Sequence, residues 1–396
     1  MNSSFQLDID LAEIRTIRHK IHEHPELGYA EYQTADLIAN ELTKVGIHVT
    51  RGIGHTGLVG TLSCGSGSKA IGLRADMDAL PITETNEFSH CSKVPGKMHA
   101  CGHDGHVAML LGAAKQLAKR LDFNGTVQFI FQPAEEGGAG GRAMIEDGLF
   151  ERFPVDAVFG VHNWPGIPAG HIALRAGAMM ASSVWFKITI QGVACHAAMP
   201  QRGRDALLAA AHLVTSLQSI LSRNMEPIDS AVLSITKFNA GTADSIVPSE
   251  AWLSGTVRTF SEDTTNMIEQ RMRELAEHTA SGFQCSANVE FVRNYPPTIN
   301  DTEQALFAGN VATQVVGAAA VTRDFSPTMA SEDFSFMLQA KPGCYAFIGN
   351  GSGEHRGSGH NLGPCELHND AYDFNDAILP TGIAYFVELT RQFLRP

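Results

Sequence analysis

An α/β fold carrying an inserted second domain is predicted by three observations. Strand-like and helix-like runs alternate from the N-terminal region to about residue 182, the order changes to βαββαβ over residues 183–294, and the first pattern returns from Thr302. Alternation of this kind indicates a mixed, largely parallel sheet. The βαββαβ order is that of a small ferredoxin-like domain with its helices on one face. The chain therefore reads as a discontinuous domain, 1–182 with 295–396, interrupted by a second domain at 183–294. At 396 residues it is too long for one ordinary core, which agrees.

The elements follow in order. Leu11, Ile14, Ile17 and Ile21 line one face of a helix that stops before Pro25, and Thr34–Lys44 makes a second, closed by Gly46. Strands are predicted at 48–50, 56–62 and 70–73, the last delivering Arg74-Ala-Asp-Met-Asp78. Val107, Leu110, Ala114, Leu117 and Leu121 mark a helix, and 126–131 a strand running into Gln132-Pro-Ala-Glu-Glu-Gly-Gly138. A short helix at 142–148 and a strand at 157–161, ending in His162, complete the first segment. In the insert, strands at 184–190, 231–238, 251–260 and 287–292 flank helices at 205–223 and 268–282. Leu207, Ala210, Val214, Leu217 and Leu221 are in step on the first of these helices. Tyr295-Pro-Pro297 reads as the return linker. Beyond it come a strand at 343–348, a glycine-rich loop at 349–363 and a final helix at 377–394.

Composition removes several function classes. A net charge of −13 argues against nucleic acid, whose phosphates need a basic face. No apolar run reaches bilayer length, and Met1–Asp10 lacks the pattern of a signal peptide. Seven scattered cysteines, an odd number, suit reduced thiols, so the cytoplasm is the expected compartment.

The chemistry centres on Met98-His-Ala-Cys-Gly-His-Asp-Gly-His106, where Cys101 and His103 offer a thiolate and an imidazole, both good ligands for zinc and related ions. Glu135, Glu136, His162 and His368 lie in three further loaded segments. In open α/β sheets such segments gather beyond the carboxyl ends of the strands. Together they exceed what a structural four-ligand site needs and leave a carboxylate for proton transfer. If the chain is extended at Glu135 and Glu136, the two side chains point apart, one toward metal and one toward substrate. Such a set suits a metal-activated water attacking a carbonyl. Alone, each residue has an ordinary reading: a buried thiol is usually a small apolar residue, and a Glu-Glu pair is usually solvated. His99 and His106 read as structural. Asp76 and Asp78 suit either orienting the ligands or capping a loop.

Arg74–Leu80, Met98–His106, Phe131–Gly137, Met329-Ala-Ser-Glu-Asp-Phe334 and Leu367-His-Asn-Asp370 resemble the aminoacylase/carboxypeptidase class of metallopeptidases. The likeness is strongest to the branch of hippurate hydrolases, N-acyl-amino-acid amidohydrolases and hydrolases of indole-acetyl-amino-acid conjugates. It runs from His22-Glu-His-Pro-Glu-Leu27 to Tyr372-Asp-Phe-Asn375. The resemblance implies a metallopeptidase-type catalytic domain and a lid that also dimerises. It implies two divalent ions, zinc or manganese, held by Cys101, His103, Glu136, His162 and His368. Glu135 matches the general base. His196 matches a lid histidine that reaches across a homodimer to the oxyanion. Arg258 suits either the substrate carboxylate or a surface ion pair. Cys195 stands where the family usually has Gly, limiting unusual backbone angles, and Ser245 where relatives often carry Asn, which bears on substrate preference.

The implied activity is metal-dependent hydrolysis of the amide in N-acyl-amino acids, small molecules of hippurate-like, N-acetyl or aryl-acyl type. Alternatives are a dipeptidase or carboxypeptidase of the same family, or a protein that only binds metal or an amino-acid conjugate. A cysteine amidase using Cys101 with His103 as base is a further rival, and it leaves Glu136, His162 and His368 without a role.

Overall fold

Ala70–Asp76, Gly125–Gln132, Ala157–Pro165 and Gly343–Gly351 consist almost wholly of buried residues, as strands covered on both faces must. The computed structural model describes residues 7–395. Its contacts form two units: one runs up to Met179 and includes Ile299–Ser326 and Asp333 onward, and the other comprises Met180–Thr298 with Pro327–Glu332. The reading of Met1–Asp10 falls partly on residues 1–6, outside the described residues.

The first unit is built on an eight-stranded sheet. Its order is His48–Ile53, Gly57–Cys64, Gly125–Gln132, Ala70–Asp76, Ala157–Pro165, Gly343–Gly351, Ile172–Ala173 and Val321–Thr322. The four long central strands run parallel, and the first two are antiparallel additions at the edge. From Ala70–Asp76 the chain goes next to the strand on one side and then to the strand on the other. That reversal makes the carboxyl end of Ala70–Asp76 a topological switch point, the place where open α/β sheets hold their ligands.

Alternation along Ala157–Pro165 sends Ala157, Phe159 and Val161 into the main core, with Val107, Leu110 and Leu111 of helix His103–Arg120 and Ile383 and Phe386 of helix Leu379–Phe393. Gly160, His162 and Trp164 take the opposite face. The neighbouring strand sets Tyr345 opposite Gly160 and Phe347 opposite His162. A Cβ on Gly160 would stand 2.9 Å from the Tyr345 ring, so this position needs glycine.

Two of the boundaries that differ from the sequence reading bear on the site. The helix predicted from Val107 begins at His103, because Gly102 takes a left-handed φ of +94° and starts it a turn early. The strand predicted to end at Val161 continues to Pro165, which places His162 and Trp164 on the sheet.

The second unit is a four-stranded antiparallel sheet in the order Ala231–Ala240, Glu250–Thr259, Ser183–Gln191, Ser286–Tyr295. Val184, Phe186, Ile188 and Ile190 alternate inward against helices Ala206–Arg223 and Glu262–Gly282. Asp205 and Ser261 cap these helices by accepting from the backbone N–H of Leu208 and Thr264. The stripe on the first helix is rotated from the predicted one. Ala206, Ala209, Ala210, Leu213, Leu217 and Ile220 face the core, while Leu207 and Leu208 are exposed. Small alanines allow close approach to the sheet, and the larger leucines are left outside.

Candidate metal centre

The switch point collects the loaded segments of the first unit. Cys101 ends the loop that Gly102 turns into helix His103–Arg120. An added Cβ at Gly102 would lie 2.2 Å from Asn163 Oδ1 and 2.7 Å from the Tyr372 hydroxyl, so only glycine fits between them. Cys101 Sγ lies 3.4 Å from His162 Nε2. His162 Nδ1 donates to its neighbour's carbonyl, Asn163 O, at 2.6 Å, so Nε2 carries the lone pair and faces the thiol. Burial, reinforced by the nearby His106, pushes the His162 imidazole well below its ordinary range and keeps it in the neutral, ligating form.

His103 is fixed in the same way. Its Nδ1 meets the Asp78 carbonyl at 2.9 Å and Asp78 Oδ1 at 3.2 Å, while Nε2 is buried with no hydrogen-bond partner among the described residues. Burial alone would lower its pKa. The carboxylates of Asp76, Asp78 and Glu136 outweigh burial and lift it to about 10. Such a field favours positive charge at this spot, whether proton or metal cation.

Glu135 and Glu136 open a short helical turn, Glu135–Gly138, entered through Ala134 at φ +50°. That left-handed alanine is unfavourable by itself. It is held there by Glu31, which accepts the Ala134 N–H at 2.8 Å. The expectation that the two glutamates diverge on an extended chain does not hold. In this turn their carboxylate oxygens and a His103 ring nitrogen all lie within 4.8 Å of one another. The Glu136 N–H donates to Asp78 Oδ2 at 2.9 Å, so Asp78 positions both His103 and Glu136.

His368 completes the group from a loop, at φ +61°, with its N–H bonded to Ala100 O at 2.8 Å. Its Nε2 stands 3.2 Å from the buried Glu136 Oε1. Burial raises the Glu136 pKa, and the His368 and His103 side chains outweigh it, so the carboxyl stays ionised.

Of the donor groups whose atoms lie within 4.8 Å of one another, two contain Cys101: Cys101 with His103 and His162, and Cys101 with Glu136 and His368. A buried imidazole nitrogen with no hydrogen-bond partner among the described residues and a buried carboxylate oxygen, beside a thiol and two further imidazoles, fit a pair of divalent cations. Burial, with Glu136, Glu135 and Asp76 adding to it, pushes the Cys101 thiol well above its ordinary range. A thiol so placed is a poor nucleophile, which weighs against the cysteine-amidase rival.

Sequence reasoning named Asp76 as a candidate support and missed the partners that hold it. Asp76 accepts from His106 Nδ1 at 2.6 Å and pairs with Arg74 at 2.8 Å. Arg74 also pairs with Asp333 at 3.1 Å, and Asp333 accepts the Gly141 N–H at 2.8 Å. His106 accepts from the Asn163 N–H at 3.0 Å, and Asn163 donates to the Tyr372 hydroxyl at 2.5 Å. Both ring nitrogens of His106 are thus engaged, one by Asp76 and the other by Asn163. His99 is buried beside the site and joins no metal-competent group among the described residues. The signal was present in Arg74–Asp78 and Ser331–Phe334, but which of those side chains meet could not be read from spacing.

His196, Ser245 and Arg258 belong to the second unit. His196 is exposed, on a two-residue strand whose partner is Ile246–Val247. Cys195 sits in that extended pair without a positive φ, so it does not strain the backbone. The Ser245 carbonyl accepts the Ala197 N–H at 2.9 Å. Arg258 donates to Ser331 Oγ at 2.9 Å and pairs with no carboxylate among the described residues, which removes the ion-pair reading.

The chain is similar to known proteins over nearly its whole length. A hippurate hydrolase of Campylobacter jejuni is 42% identical over 383 residues, covering 97% of each chain. The IAA-amino acid hydrolase ILR1-like 4 of Arabidopsis thaliana is 39% identical, over 96% of this chain and 85% of that one. A solved structure from Bacillus subtilis, described as a dinuclear metal binding peptidase from the M20 family, superposes with a TM-score of 0.84 at 32% identity. It covers 97% of this chain and 98% of its own. Fold, donor groups and relatives together define a metal-dependent amidohydrolase. The chain belongs to Peptidase family M20/M25/M40, whose pattern matches residues 72–392.

Proposed function

We propose that the chain hydrolyses the amide bond of small N-acyl-amino acids, with Glu135 as general base and Cys101, His103, Glu136, His162 and His368 holding two divalent ions. The observation that carries this reading is the pair of donor groups sharing Cys101, with Glu135 alongside. Ions bound there would polarise the scissile carbonyl and acidify the attacking water. The Glu135 carboxylate takes the proton of that water and returns it to the departing amine nitrogen. Asp78 keeps His103 and Glu136 in place, and Asp76 with Arg74 and His106 keeps the floor of the site rigid. The thiolate favours zinc by softness, while imidazole and carboxylate donors also admit manganese.

The relatives named for hippurate and for indole-acetyl-amino acids point to an acyl group on an amino acid as substrate class. In the second unit, His196 would donate to the oxyanion from a partner subunit, and Arg258, which pairs with no carboxylate among the described residues, would meet the substrate carboxylate. A homodimer through this lid is supported by Leu207 and Leu208, exposed at 40% and 44%, and by the open edge strand Ala231–Ala240. The cytoplasm is supported by seven free cysteines. No helix among the described residues is long and apolar enough to cross a membrane.

The experiment is release of free amino acid from a panel of N-acetyl-, N-benzoyl- and N-indolylacetyl-amino acids by zinc- or manganese-loaded protein. Release that stops on chelation supports the reading. Intact substrates across the whole panel favour the binding-only alternative, and cleavage confined to dipeptides favours the peptidase one.

A further inference from the structure

We propose that Trp164, backed by Phe347 and Phe325, is the shelf on which an aromatic acyl group lies, so that this stack sets the substrate preference of the chain. The inference rests on the amidohydrolase reading and names the acyl class that the site takes.

The register of the sheet makes the shelf. Trp164 is two residues beyond His162 on one strand, so both side chains leave the same face. Phe347 is the cross-strand partner of His162. The Trp164 and Phe347 rings stack with centroids 4.1 Å apart and an interplanar angle of 16°. Phe325 packs perpendicular to Phe347, at 5.5 Å and 89°. Trp164 also stands T-shaped to the His162 imidazole, at 6.0 Å and 69°.

The rings are unequal in burial. Phe347 is fully buried, whereas Trp164, the last ring of the stack, is only partly so. Two residues further along, a Cβ added at Gly166 would meet nothing within 4 Å. An ordinary core would be filled as well by aliphatic groups. A stack that stops at a half-buried indole, beside a candidate ligand, presents a flat apolar surface to whatever the centre binds.

The shelf suits the acyl half of the substrate. The amino-acid half carries a carboxylate, which the apolar face of an indole does not hold. A benzoyl or indolyl ring gains a stacking partner on Trp164 that an acetyl group cannot use.

The test compares kcat/KM for N-benzoylglycine and N-acetylglycine in metal-loaded wild type, Trp164→Leu and Trp164→Phe. The benzoyl-to-acetyl ratio is expected to fall about tenfold in Trp164→Leu, mainly through KM, and to stay within about threefold in Trp164→Phe. An unchanged ratio in Trp164→Leu overturns the proposal, as does an equal loss on both substrates, which would mark a role in placing His162. A second readout needs no turnover. In Glu135→Gln protein, N-benzoylglycine should perturb the emission of the three tryptophans, and Trp164→Phe should remove that response. A response that persists in Trp164→Phe overturns the shelf. If wild type cleaves neither substrate, the amidohydrolase reading itself fails and the shelf falls with it.

Discussion

Asp78 grips His103 with two atoms, its carbonyl at 2.9 Å and a carboxylate oxygen at 3.2 Å from the same Nδ1, and turns Nε2 toward the other donors. Its second carboxylate oxygen accepts the Glu136 N–H at 2.9 Å, so one side chain sets two candidate ligands. Asp78→Ala should weaken metal binding by about 10–100-fold, read by competition with a chromophoric chelator. Unchanged affinity would show that the loop positions His103 without help.

Glu135 and Glu136 both face the site, so their roles separate by loss rather than by orientation. Glu135→Gln should lower kcat by on the order of 10²–10⁴-fold while metal content stays at two per chain. Loss of metal in this variant, with retention in Glu136→Gln, would reverse the assignment.

His196 offers a different signature. His196→Ala should lower kcat by about 10²–10³-fold with metal content unchanged. Interface variants that are monomeric and fully active would contradict a contribution from the partner subunit.

Stability has its own titration, at His22. This buried imidazole lies 2.9 Å from Asp104 and 3.4 Å from Glu84, with Phe88, His90 and His99 packed around it. Burial alone would lower its pKa, but Asp104 and Glu84 outweigh burial and lift it to about 10. Because the folded pKa lies above the unfolded value of about 6.5, the stabilisation is complete below that pH. It is lost as pH rises through about 10. The full span is on the order of 5 kcal/mol. The urea midpoint of metal-free protein should therefore fall between pH 6.5 and 10, and His22→Gln should flatten that fall. An equal slope in the variant would mean that other groups carry it.

Most of the architecture was legible because periodicity reports burial. Continuous apolar runs such as Ala70–Leu73 are central strands, and the βαββαβ order follows from the alternation of Val184, Phe186, Ile188 and Ile190 and the helices between strands. The donors were legible as residue types in separated segments. What spacing could not supply was local backbone geometry. Gly102 and Ala134 adopt left-handed conformations that bring His103 into a helix and aim both glutamates one way. Nor does periodicity show which buried polar groups meet. Arg74 finds Asp333 across more than 250 residues, through a contact fixed only once the strands are in register. On the helix Ala206–Arg223, large apolar side chains drew the predicted stripe to Leu207, yet the sheet accepts the smaller alanines.

The most direct test is an anomalous-scattering map of crystals grown with zinc or manganese. Two peaks are predicted, both in reach of the Cys101 sulfur, one also meeting His103 and His162 and the other Glu136 and His368. A single peak, or metal bound away from Cys101, would contradict the shared centre on which the chemistry depends.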